Sequence, residues 1–293
     1  MQVSLYHTGQ FLPIAGTCAL AEGLDKMSLI DRLREGPPER PVADTAAARI
    51  LTIDIERLPG LAHVWEPRTK YVPPRNFVEW PRTVCFAARW YGDDKPIFSA
   101  VWHKHGHAGM IRKAWELYDA ADIIVTFNGV NFDDRKLKTD WLEAGLPPPR
   151  PFKPVDLFRV VRREFGFESN SLDTVTRRLG RPGKPTFYSI EDTQAAVEGN
   201  REAQSRLRSY NLADIELTEW LYDRLRAWIH NHPHLGTVGD EMSCNRCGSK
   251  ELEKQPSRYR AVVLDYSLYR CEHCGGLVRG NWESRAAQSR GVK

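Results

Sequence analysis

The chain has 293 residues, of which 41% are hydrophobic and 27% charged, a balance that sustains a folded core at a length suggesting two domains. Its 42 basic and 38 acidic residues leave a net charge of +4, too small by itself to single out a polyanionic partner. No apolar run approaches the ~20 residues of a membrane span and the N-terminus lacks a signal-peptide pattern, so no membrane partner and a cytoplasmic location are expected.

Residues 1–48 show no sustained periodicity. Leu24 to Leu33 suits a short helix, which Glu35-Gly-Pro-Pro-Glu-Arg-Pro41 breaks, and the segment reads as a flexible extension without chemistry. The first strand is Ile50 to Ile55, inside the run Arg49 to Pro59. Side chains of a strand repeat every two residues, so Asp54 and Glu56 project from one face. Two adjacent carboxylates repel one another and resist desolvation. They suit a hard divalent cation, or else the hydrated end of an edge strand. Leu58 to Trp80 reads as a long loop whose Trp65, Tyr71 and Trp80 are candidates for stacking on bases or for covering the core.

Thr83 to Trp90 and Pro96 to Trp102 read as two further strands around the turn Gly92-Asp-Asp. Ile111, Ala114, Trp115 and Tyr118 have helical spacing over Ile111 to Ala120, and Ile123 to Phe127 is a buried strand. Asn128 to Asp133 makes the turn into a helix that ends near Ala144 before Gly145 and the Pro147–Pro151 run. Asp133 suits an N-cap there; if Asn131 or Asp134 takes that role, Asp133 is free to point across the sheet. Helices are expected over Leu157 to Phe165, Ser171 to Leu179 and Arg201 to Ile229. The pattern predicts an α/β domain, a mixed sheet flanked by helices. Arg159, Arg162, Arg163, Arg177, Arg178 and Arg181 form a basic stripe, suited to a polyanion or simply to solvent. Tyr210 and Asp214 stand four apart, one turn from each other on a helix face.

Four of the six cysteines form two close pairs, Cys244/Cys247 and Cys271/Cys274, with 23 residues between them; Cys18 and Cys85 stand alone. Without a secretory signal these pairs read as thiolate ligands that close one tetrahedral zinc site around a hairpin between Tyr259 and Tyr269. The resulting ribbon needs its metal as a staple, and Arg258, Tyr259, Arg260 and Tyr269 are available for nucleic acid. The alternating His103, His105 and His107, and His230, His232 and His234, read as turns at element ends.

The order Asp54-x-Glu56, then Asp133, then Tyr210-x-x-x-Asp214 resembles the DEDD exonuclease superfamily in its tyrosine-bearing branch, over about Ile50 to Pro233. Cys85-Phe-Ala-Ala-Arg-Trp90, Ser169-Asn-Ser-Leu-Asp173 and Asn231-His-Pro233 are similar to phage-type members with a C-terminal zinc ribbon. The resemblance implies an RNase H-like fold and a 3′→5′ exonuclease with a two-metal-ion mechanism. It implies Asp54, Glu56, Asp133 and Asp214 as ligands of two Mg²⁺ or Mn²⁺, and Tyr210 as the residue that positions the attacking water. Substrate contacts are expected from Arg57, Leu58, Trp65, Asn128, Arg177 and Arg178. Arg57 departs from the threonine that many relatives carry at that place, which puts one contact to the terminal nucleotide in doubt. The expected partner is nucleic acid, a single-stranded DNA end in preference to RNA, in the setting of replication or repair proteins and, for a phage gene, in the host cytoplasm. A non-catalytic nucleic-acid-binding protein on this fold and a structure-specific endonuclease are the alternatives. The expected domains are an N-terminal extension (1–48), an exonuclease domain (49–235), a zinc ribbon (240–282) and a tail (283–293).

Overall fold

The alternation of the first strand organises the domain. In the computed structural model β1 (Ile50–Leu58) turns Leu51, Ile53 and Ile55 into one hydrophobic core and Ile50 into another, as the two-residue repeat of a strand requires. The structure describes residues 48–184, 187–235, 242–261 and 263–285. The helix expected over Leu24 to Leu33, Cys18 and the rest of the N-terminal extension lie outside these residues.

The sheet continues with β4 (Arg82–Trp90), β5 (Ile97–Ala100), β6 (Ile123–Thr126) and β7 (Lys153–Asp156), in the order β5-β4-β1-β6-β7. β4 is antiparallel to β1 and to β5, whereas β1, β6 and β7 run parallel. The result is a mixed α/β architecture, a central mixed sheet flanked by helices. β2 (Leu61–Ala62) and β3 (Phe77–Glu79) pair with each other inside the stretch expected to be loop. β7 and a later helix, Ile190–Val197, were not anticipated: Pro154 argues against a strand, but β7 pairs only with β6 and stands at the sheet edge, where a missing N–H costs little.

One face of the sheet packs against α1 (Gly106–Ala120) and α2 (Asp133–Glu143), through Met110, Ile111, Trp115, Tyr118, Leu137 and Trp141. The other carries α3 (Leu157–Glu164), α4 (Leu172–Arg178), α5 (Ile190–Val197) and α6 (Arg201–Leu225). α6 spans 25 residues, starts at the N-cap Asn200, whose side chain accepts from Ala203 N–H, and continues as a 3₁₀ turn over Arg226–Trp228. Neither Asn131 nor Asp134 caps α2. Phe132 holds the N-cap place without a side-chain bond, while Asn131 Oδ1 accepts from Arg159 and the buried Asp134 accepts from Tyr118 Oη at 2.8 Å.

A second sheet of β8 (Leu252–Arg260), β9 (Leu264–Cys271) and β10 (Leu277–Arg285) is fully antiparallel. β10 adds a third strand to the expected hairpin and runs past residue 282. The buried Arg246 joins this sheet to the end of α6: Nε donates to Ile229 O at 3.0 Å and Nη1 to Leu277 O at 2.6 Å. Asn245 adds a bond to His232 O. Among the described residues no helix is long and apolar enough to cross a membrane.

Candidate active site

Asp54 and Glu56 lie on the face of β1 that looks at α6, opposite Ala87 and Cys85 of β4. Asp214 rises from the middle of α6, and one oxygen from each of the three acids falls within 4.8 Å of the others. Each acid meets a different protein donor. Asn211 Nδ2 donates to Asp54 Oδ2 at 2.7 Å, Tyr188 Oη donates to Glu56 Oε2, and the Lys184 ammonium lies 2.6 and 2.8 Å from the two oxygens of Asp214. Lys184 Nζ also donates to the Tyr210 phenol oxygen, so phenol, ammonium and carboxylate form one chain. Tyr210 and Asp214 share the α6 face as their spacing requires.

Asp133 takes another place. It is buried at the start of α2, and its Oδ1 accepts from Ile55 N–H at 3.1 Å. β6 pairs with β1 only as far as Thr52, so this carboxylate satisfies a backbone donor where the parallel ladder has ended. Asp133 is outside the three-acid group but close enough to repel Asp54.

The electrostatics follow from burial. Desolvation first, then repulsion from Asp214, Asp133 and Glu56, pushes the Asp54 carboxyl well above its ordinary range. Burial lifts Glu56 to about 7 against the opposing bond from Tyr188, and lifts Asp133 to about 7 against its bond from Ile55. Asp214 is raised by burial too, although Lys184 offsets part of the effect. Burial also raises Tyr210, and with it the fraction of neutral phenol. Burial alone would lower Lys184, but the attraction of Asp214 outweighs it and the ammonium is held charged.

The raised carboxyls hold protons that a cation would displace; once all three acids are ionised, one ammonium leaves a local charge of about −2, in oxygen donors of the hard type that Mg²⁺ and Mn²⁺ take. The donor set therefore fits divalent metal.

The other expected contacts are scattered. Arg57 turns to the opposite side, donating to Thr83 Oγ1 at 3.1 Å and Pro81 O at 2.7 Å, with Asp140 at 3.7 Å; it is not brought to the acids. Leu58 packs against the apolar cluster around Val84 and Cys85. Asn128 has φ 69° and gives its N–H to Asp156, a turn that positions α2. Trp65 is fully exposed, and Trp80 stacks on Phe77 at 4.6 Å. Arg177 pairs with Asp173 at 2.8 Å, and Arg178 is exposed on the same helix. Sequence reasoning missed Lys184, Tyr188 and Asn211. The Lys184 loop is anchored to α4 by its backbone, Lys184 N–H donating to Asp173 Oδ1 at 3.1 Å, a contact that no spacing in the sequence announces.

The four cysteines converge as their spacing requires. Cys244 and Cys274 sulfurs are 3.7 Å apart, Cys247 and Cys271 3.5 Å, close to the ~3.8 Å edge of a tetrahedron with ~2.3 Å zinc–sulfur bonds. The knuckles repeat one another. Gly248 N–H bonds Cys244 O, Gly275 N–H bonds Cys271 O, and both glycines have positive φ, 77° and 72°. The histidine groups hold no such cluster among the described residues: His232 is buried against Tyr222, and His230 pairs with Glu164 at 3.1 Å.

Residues 82–226, which include Asp133, Tyr210 and Asp214 but not β1, match a family model described as the RNase_H superfamily. No curated protein matches the chain. Among solved structures, the family B DNA polymerase of the hyperthermophilic archaeon Pyrobaculum calidifontis is similar at 18% identity and a TM-score of 0.48, over 61% of this chain and 25% of the polymerase. The chain thus spans about a quarter of that polymerase. The domain built around the acids is similar to RNase_H superfamily domains and carries a mixed α/β fold of the RNase H-like kind.

Proposed function

We propose that the chain is a divalent-metal-dependent nuclease that releases nucleotides from the 3′ end of a nucleic acid, single-stranded DNA in preference to RNA. The observation that carries this reading is the convergence of Asp54, Glu56 and Asp214 beside Tyr210, with more negative charge than Lys184 balances. Asp54, Glu56 and Asp214, with Asp133 beside them, would hold two Mg²⁺ or Mn²⁺. When bound, such ions generate a hydroxide-like nucleophile near neutral pH and stabilise the attacking and leaving oxygens of a phosphodiester. The four cysteines would hold one structural zinc.

The chain's own residues do the positioning. Tyr210 stays neutral at pH 7, so its phenol orients the attacking water by hydrogen bonding instead of taking its proton. Lys184, kept charged by Asp214, offers a cation to a phosphate oxygen next to that phenol. Asn211 and Tyr188 fix the rotamers of Asp54 and Glu56 through single bonds. Reaction at an end, its polarity and the use of two ions are supported by the motif order of the tyrosine-bearing branch.

The test is magnesium-dependent shortening of a 5′-labelled oligonucleotide by wild type and Asp54→Asn, with linear DNA, linear RNA and circular single-stranded DNA in parallel. A ladder of products from linear DNA alone, lost in the variant, is expected. Cutting of the circle would make the protein an endonuclease. Equal activity in the variant would end the nuclease assignment at this site.

A further inference from the structure

Between the three-stranded cysteine module and the end of α6 lies a cavity of about 1410 Å³ that the acid site does not use. Its walls carry Arg246, Arg258, Arg260, Arg270 and Arg279, against a single carboxylate, Glu164. Arg246 joins the two modules; the other four arginines are exposed, with Arg260 paired to Asp265 at 3.1 Å, Arg270 donating to Gly275 O at 3.0 Å and Arg279 lying 4.6 Å over the Tyr266 ring. Arg270 stands opposite Leu277 and Leu268 opposite Arg279, so these positions share one sheet face, and that face looks into the cavity. Two aromatic rings flank the arginines. Tyr259, beside Tyr266 at 6.1 Å, is 47% exposed, and Trp228 on the facing wall, edge-on to Phe165 at 5.3 Å, is 53% exposed, so each keeps about half of its surface open to a base.

A route joins this cavity to the acids. β1, β6 and β7 run parallel, so α3 leaves the sheet at the end where Asp54 and Glu56 lie. It ends at Glu164 on the cavity wall after 8 residues, ~12 Å of helix. Leu157, Val160 and Val161 hold α3 to the core, which leaves Arg159, Arg162 and Arg163 exposed along its length. From Asp214 to Trp228 the chain of α6 and its 3₁₀ turn covers on the order of 20 Å.

We propose that this arginine-lined cavity is a second binding site for the single-stranded phosphodiester chain whose end occupies the acid site. The inference rests on the nuclease reading. The guanidinium groups take the backbone phosphates, and Tyr259 and Trp228 stack with bases, a combination that suits an unpaired strand, whose bases are open to stacking, better than a duplex. At ~3.4 Å per stacked nucleotide the span corresponds to about six nucleotides, so shorter oligonucleotides reach the acids without reaching the cavity.

The experiment measures affinity of the full-length, zinc-loaded protein for labelled oligonucleotides of 4 and 20 nucleotides, without added magnesium, by fluorescence anisotropy. DNA and RNA of one sequence and a blunt 20-base-pair duplex are run in parallel. Arg270→Gln/Arg279→Gln, both on the sheet face that looks into the cavity, is compared with Arg270→Lys/Arg279→Lys, each checked for one zinc and an unchanged melting temperature. Expected for the glutamine pair is a tenfold or greater rise in Kd for the single-stranded 20-mers and no change for the 4-mers. Its log–log salt slope should fall by about 1.4, at ~0.7 per lost phosphate contact. The lysine pair, which keeps the charge, should stay within threefold of wild type. Equal 20-mer affinity in the glutamine pair, an equal loss in both pairs, or a loss confined to duplex would overturn the proposal. Failure of the nuclease reading looks different: 4-mers and 20-mers both resist turnover with magnesium, whatever their affinity.

Discussion

The molecule holds two candidate metal sites built on opposite plans. The cysteine site draws its ligands from two short knuckles, each within four residues of chain, and brings its sulfurs to a tetrahedral spacing. The acid site draws its ligands from β1 and α6, more than 150 residues apart, and balances them with Lys184, Tyr188 and Asn211. The difference teaches what each is for. Four thiolates saturate a zinc ion and leave no position for chemistry, which suits a structural staple. Three carboxylates around replaceable protein donors leave coordination positions for water and phosphate, which suits turnover.

The comparison breaks most visibly at Asp54. Asp54→Asn removes a charge but little volume, so the fold should survive while magnesium-dependent nucleotide release falls ~10²–10³-fold or more, the scale of losing one group that stabilises developing charge. Single-turnover assays with circular dichroism as a control check this; a drop below tenfold would separate the acid cluster from catalysis. Cys271→Ser should act the other way. Bound zinc should fall from one per chain to none, and the second sheet should become sensitive to protease, because a small module of this kind draws most of its folding free energy from the metal. Its turnover of 4-nucleotide substrates should remain within a few fold of wild type, and a collapse of that rate would show that the two sites are not independent.

Tyr210→Phe sharpens the comparison inside the acid site. With the phenol oxygen gone and the ring kept, kcat should fall ~10–100-fold at the low end of what a positioned proton-transfer or orienting group supplies, with KM little changed. A change in KM alone would make Tyr210 a substrate contact. Lys184→Met leaves Asp214 buried without its partner, and the metal-free protein should lose about 3 kcal/mol at pH 8 by chemical denaturation. Magnesium should restore more stability to this variant than to wild type.

The smallest expected effect is in pH. Glu56 and Asp133 titrate at about 7 in the folded chain, above the ordinary carboxylate range they regain on unfolding. The folded state therefore binds protons more tightly, and the stability this confers is present at pH 4 and lost as pH rises through 7. The melting temperature of the metal-free protein should fall between pH 5 and pH 8, and magnesium should raise it more at pH 8 than at pH 5.5, where protons compete.

Much of this was legible in the sequence because it depends on short-range pattern. The alternation from Ile50 to Glu56 fixes which residues of β1 face each core, and it places Asp54 and Glu56 together without further information. The four-residue step from Tyr210 to Asp214 does the same on α6, and the paired cysteines with following glycines do it in the knuckles. Other features had no local signature. Lys184 sits on a loop without periodicity, and its partners are 26 and 30 residues away. Tyr188 reaches Glu56 across 132 residues and Asn211 reaches Asp54 across 157. Arg57 is the exception, since the alternation that joins Asp54 to Glu56 also sends its side chain to the other face, where Thr83 and Asp140 take it.

The sequence by itself determined the strands β1, β4, β5 and β6 and the long α6, the pairing of Asp54 with Glu56, the Tyr210–Asp214 face and the closure of the cysteine site, since each follows from a fixed repeat of two or 3.6 residues or from ligands a few bonds apart. Only the tertiary structure decided which donors neutralise the acids, that Asp133 serves the open edge of β1, and that the second sheet meets α6 around an arginine-lined cavity. Those outcomes depend on which faces are pressed together when the cores are buried, and a side chain's neighbours across a core are set by packing, which no spacing along the chain records.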